Sequence, residues 1–135
     1  MSDTITTGLT FLYSTLHGDS TLLGYITGVF QDIAPDKTLP DYCVIGVQSP
    51  GLDTLTATAV RIMTRPLFRV AMMGPAADMT NLSTAYQRAD SLLRLVRTGS
   101  GILACYREGP LYLPQPELIN GEPWVQVGGL YRVIL

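Results

Sequence analysis

The chain has one histidine, His17, and two cysteines, Cys43 and Cys105, in 135 residues. Any Ser-His-Asp or Cys-His relay must therefore run through His17, since imidazole is the group that takes the nucleophile's proton near neutral pH. His17 falls beside Gly18 at the end of a predicted helix, where it reads as a surface or capping residue. Neither Ser49, in Val47-Gln48-Ser49-Pro50-Gly51, nor Ser100 has the Gly-x-Ser-x-Gly spacing of a nucleophile turn. Gly99-Ser100-Gly101 follows a predicted helix instead of opening one. Its amides lack the helix N-terminus that cradles phosphate, so it reads as a helix stop. Asp32, Asp36 and Asp41 cluster in a proline-bounded stretch, which reads as a solvated loop in preference to an acid–base or metal site. Two cysteines and one histidine also fall short of the four ligands of a structural zinc site. Both cysteines sit in apolar runs and read as small, unpaired core residues. No catalytic residue, no metal site and no cofactor is expected, and the chain is expected not to be an enzyme.

What stands out instead is apolar residues at positions predicted to face outward. Phe11 lies about 160° around its helix from Leu9, and Leu95 lies similarly opposite Leu93. Leu52 and Leu55 fall in a predicted loop tip. Charged residues make up 15% of the chain and hydrophobic ones 47%, against about a quarter charged in an ordinary soluble domain. Several outward apolar residues in a chain short of charge point to contact with other protein on more than one side. The formal net charge is -2, with Lys37 the only lysine, so no basic excess exists to grip a nucleic-acid backbone. The apolar runs are far shorter than the roughly 20 residues of a membrane span, and the start lacks signal-peptide features, so a cytoplasmic origin without membrane contact is expected.

The elements that must carry these residues follow from the spacing. Ile5, Leu9, Leu12 and Leu16 predict a helix over 4–16, and Asp19 or Ser20 caps a short second helix. Strands are predicted at 29–33, at 42–48 (apolar on both faces, hence central) and at 59–73, where Pro66 forces a bend or edge. Residues 49–58, rich in threonine and turn formers, are expected to form a mobile hairpin tip. Leu82, Ala85, Tyr86, Ala89, Leu93 and Val96 make one stripe of an amphipathic helix over 79–97, capped by Asp78 or Thr80. The remainder predicts strands at 102–107, 111–113, 117–119 and 124–134, with Asn120-Gly121 as a hairpin turn. The expected fold is α/β (α+β): one domain over 1–135, with a single mostly antiparallel sheet and two main helices packed against it, in the order α-α-β-β-β-α-β-β-β-β.

Four strings carry a family likeness. These are Leu22-Leu23-Gly24-Tyr25-Ile26-Thr27-Gly28-Val29-Phe30; Ala34-Pro35 leading into 42–48; Arg69-Val70-Ala71-Met72 before the helix with Arg88-Ala89-Asp90 and Leu93; and Gly129-Leu130-Tyr131-Arg132-Val133. Together they resemble the tail-completion (tail-terminator) proteins of long-tailed bacteriophages and gene-transfer particles. The resemblance implies a virion protein at the head–tail junction. It would form a hexameric ring on the tail-tube protein and offer a docking face to the head connector or stopper. DNA would pass through the lumen without specific binding. Phe11, Leu52, Leu55 and Leu95 are the candidate contacts with other subunits or the tube. Competing readings are another joint component (a stopper or adaptor ring) and a small ligand-binding α/β domain.

Overall fold

The leucine spacing of the first segment is realised as α1, Thr4–His17, which lays Leu12 and Leu16 fully into the core. The structure, a computed structural model, describes residues 4–32, 40–49, 51, 53–55, 61–94, 104–119 and 122–135. After α1, the Asp19 carboxylate accepts the Leu22 amide at 2.8 Å and caps α2, Ser20–Leu23. Strands β1 (Val29–Gln31), β2 (Tyr42–Ser49), β3 (Asp53–Leu55), β4 (Arg61–Thr64) and β5 (Leu67–Pro75) follow. A 3-10 turn over Ala76–Asp78 leads into α3, Met79–Arg94, and the chain closes with β6 (Ala104–Ile119) and β7 (Glu122–Ile134).

Five strands form one sheet in the order β1-β2-β5-β7-β6, and β3 pairs with β4 in a separate two-stranded sheet. Every pairing is antiparallel except β1 with β2. The helices bury one face of the sheet. Leu12, Leu16, Leu22, Leu82, Ala85, Tyr86, Ala89 and Leu93 pack with Cys43, Ile45, Phe68, Val70, Met72, Val125, Tyr131 and Val133. These strand residues alternate along their chains, as one face of a pleated sheet requires. The other face carries Val44, Ala71 and Trp124, with Tyr42 against Phe30 (ring centroids 6.0 Å) and Trp124 (5.9 Å).

The expected single sheet with helices against it is found, with finer divisions. The stretch read as one strand over 59–73 is two, β4 and β5, separated at Arg65-Pro66 and belonging to different sheets. Proline has no amide proton to continue the ladder, and its carbonyl instead accepts from Val133 at 3.1 Å. The three short strands read over 102–119 are one long β6. Its register shifts at Arg107/Gly109 and Pro114/Leu118 fall where glycine and proline interrupt the pattern. Within 49–58, taken as loop, Asp53–Leu55 pairs with β4: Asp53 with Thr64, Thr54 with Met63 and Leu55 with Arg61. Gly51, at φ +79°, makes the entry possible, because a Cβ there would strike the Arg65 carbonyl. Gly128-Gly129, unusual inside a strand, has a packing cause too. A Cβ on Gly128 would meet the Val70 carbonyl, and one on Gly129 the Tyr86 hydroxyl.

Candidate functional site

Four polar constellations lie around this frame. The first locks α3 to the sheet. The Tyr131 hydroxyl donates to Asp90 Oδ1 at 2.7 Å and lies 3.0 Å from the Tyr86 hydroxyl, while Arg94 holds Asp90 Oδ2 at 3.1 Å. Arg107 sits 5.6 Å above the Tyr86 ring. Burial, then the neighbouring Tyr86 and Asp90, raises the Tyr131 pKa far above a phenol's usual range, so it stays a hydrogen-bond donor. The second ties α2 to α3: Arg88 grips Asp19 through Nε and Nη2, both at 2.9 Å, and holds its carboxyl below the ordinary value.

The third is a buried acid. Asp41, 9% exposed and at φ +56°, opens β2. Its Oδ2 accepts from Asn81 Nδ2 at 2.7 Å, and the same amide group donates to the Tyr25 carbonyl at 2.9 Å. Oδ1 is buried without a donor among the described residues and fills the space over Gly74 that a Cβ would otherwise take. Loss of solvation lifts the Asp41 pKa to about 6; the Asn81 bond opposes this and Asp78 adds to it. Of the three aspartates read as a solvated loop, Asp41 is corrected to a buried tether between β2 and α3.

The fourth constellation is a corner where β4, β5, β6 and β7 meet. Arg132 donates through Nε and Nη2 to both oxygens of Glu108, at 2.7 and 2.9 Å, and through Nη1 to the Arg65 carbonyl at 2.8 Å. With Tyr106 these residues line a cavity of about 260 Å³. A second hollow, of about 400 Å³, runs along α1 between Phe11 and the hydroxyls of Thr6, Thr7, Thr10, Ser14 and Thr15.

The residues singled out for chemistry are scattered. His17 stacks on Tyr13 at 4.9 Å. Cys43 and Cys105 are free, and burial pushes both thiols up to about 12, so neither supplies a thiolate near neutral pH. Among the described residues no three His, Cys, Asp or Glu side chains gather as metal ligands. No described helix is long and apolar enough to cross a membrane. Of the candidate contact residues, Phe11 is half-buried, touching the core's rim on one side and the α1 hollow on the other. Leu55 contributes its backbone to β3, its side chain falling outside the described residues, as do Leu52 and Leu95. Sequence reasoning missed exposed apolar side chains on β6, Tyr106 at 48%, Tyr112 at 57% and Leu113 at 45%, with Val47 on β2 and Tyr25 after α2 exposed as well. The available signal was the Gly109-Pro110 break beside two tyrosines, which marks an edge strand.

Among the solved structures that match, two share this fold over nearly the whole chain. One is a chain from the virion of a native gene transfer agent (GTA) particle. It is 16% identical, with a TM-score of 0.64, over 99% of this chain and 100% of that one. The other is 15% identical, with a TM-score of 0.59, over 98% of this chain and 96% of that one. At these identities the likeness is one of fold. No protein-family model and no curated protein matches the chain.

Proposed function

We propose that this protein is a structural component of a phage-like particle: a ring subunit that caps the finished tail tube, ends its growth and presents a face to the head connector. The observation that carries the reading is the end-to-end likeness, in both directions, to a chain of a gene transfer agent virion. A shared fold alone does not fix a role. The site chemistry supports this one, because the polar groups tie elements together and the most exposed apolar residues among those described, Tyr106, Tyr112 and Leu113, lie on the outer strand β6. The protein then works by binding, without catalysis. A net charge of -2 suits a lumen that passes DNA without gripping phosphates. Phe11, Leu52, Leu55 and Leu95 serve as contacts between copies or with the tube. The deciding measurement is mass in solution, with and without the cognate tail-tube protein. Six copies of the 14.7 kDa chain, the number the family likeness implies, give a species of about 88 kDa that binds tube ends. A protein that stays monomeric and leaves tube length uncontrolled overturns the proposal.

A further inference from the structure

The two outer strands of the main sheet are β1 and β6. Tracing the register across all five strands aligns Gln31, Ile45, Val70, Gly129 and Pro110 on one line. The next line passes through Gly46, Arg69, Leu130 and Gly109, and Asp32 joins its β1 end. The Asp32 amide is pinned to the Ile45 carbonyl at 2.7 Å, at φ +62°. Its carboxylate is exposed and lies beside Gly46, 3.2 Å from where a Cβ would stand. Gly46 pairs with Arg69, so Asp32 sits on the face away from the helices.

At the opposite edge, Arg132 pairs with Tyr106. Arg132 falls between Tyr131 and Val133, which point to the helices, so its side chain also occupies the other face. It is two residues beyond Leu130, about 7 Å along the strand from the Asp32 line. Glu108 matches the Arg132 charge, whereas Arg65, exposed at the mouth of the same cavity, makes no ion pair with any described residue. Asp32 makes none either. The β1 edge thus carries an exposed anion, and the cavity beside β6 an exposed cation from the β4–β5 connection, neither of them ion-paired among the described residues. Within one chain the sheet separates Asp32 from Arg65, so a contact between these two charges joins two copies.

We propose that the β6 edge of one copy docks against the β1 edge of the next, with Asp32 entering the cavity of Arg65, Tyr106, Glu108 and Arg132 on its neighbour. The proposal rests on the ring reading and supplies its two different faces, which a head-to-tail closed ring requires. Tyr106, on the same face as Arg132, provides apolar area beside the charge pair, and Leu113 lies further along that face. Pro110 and Pro114 remove amide donors from β6 and blunt open-ended strand addition, so side chains make the contact.

The test measures assembly by native mass spectrometry across a concentration series, with tail-tube protein present, for wild type, Asp32→Arg, Arg65→Asp and the double variant. Asp32→Asn is a further variant that keeps a residue tolerant of positive φ. Circular dichroism confirms the fold of each. Each single reversal should weaken assembly at least about tenfold, and the double variant should regain it to within about threefold. An equimolar mixture of the two single variants should also assemble, because alternating copies set an anion against a cation at every contact. Full assembly by the folded single variants overturns the proposal, as does failure of both the double variant and the mixture to recover. Restored assembly only with added inorganic phosphate would make the corner an anion site instead. A wild-type protein that never associates removes the ring reading and this interface together, and is told apart by the wild-type arm alone.

Discussion

Replacing Asp41 with asparagine should flatten a pH dependence built into the wild-type fold. The Asp41 carboxyl is buried, with Oδ1 over Gly74 and Asn81 donating to Oδ2. Its pKa is raised from the ordinary 3.8 to about 6. Between those values the folded protein holds a proton that the unfolded chain has released, so stability falls as pH rises. The contribution is fully present below about 4 and fully lost above about 6. The interval is equivalent to about 3 kcal/mol, and about 1–3 kcal/mol is expected once Asn81 and local relaxation are counted. Asparagine has the same shape, needs no ionisation and tolerates the positive φ. Urea midpoints for both proteins between about pH 4 and pH 8 provide the assay, read as a difference so that other carboxylates cancel. The variant should be more stable near pH 8 and the gap should close near pH 4. Parallel profiles for the two proteins would refute the burial argument.

Leu93→Ala, at a fully buried position, should cost about 2–5 kcal/mol in denaturant unfolding; an unchanged midpoint would remove α3 from the core. Tyr131→Phe leaves Asp90 and Tyr86 short of a partner and should cost about 1–2 kcal/mol by the same assay. Phe11→Asp and Leu95→Asp should keep their circular-dichroism spectra yet block ring formation, and normal assembly by both would take these residues out of the interface.

The sequence was most informative where one element alone sets the pattern. The α3 stripe buries Leu82, Ala85, Tyr86, Ala89 and Leu93, and Asp19 caps α2, both as their spacing implied. The apolar run of β2 does lie inside the sheet, with Ile45 under the helices and Val44 on the other side. Properties set by distant partners were not legible. Nothing near Val29 reports that β1 runs parallel to β2. The Gly109-Pro110 break is a local sign of an edge but does not say which strand lies beside β6, which is why its exposed side chains escaped notice. The arginine corner is assembled from Arg65, the Tyr106–Glu108 stretch and Arg132, three separate parts of the chain, and Asp41 meets Asn81 from 40 residues away. Local strings give residue types and periods, whereas these features depend on which strand lies beside which.

The strand order also governs when the molecule can be complete. β7, the last strand in the chain, does not sit at an edge but between β5 and β6. Its partner residues are remote: Leu67 pairs with Arg132 and Phe68 with Tyr131. Closing so long a loop is costly in entropy and slow. Until β7 arrives, β5 displays an unpaired backbone row beside the apolar residues that will later face α3, the kind of surface on which nascent chains stick together. Translation products that stop short of β7 are therefore expected to aggregate, with no half-folded subunit available to enter an assembly and poison it.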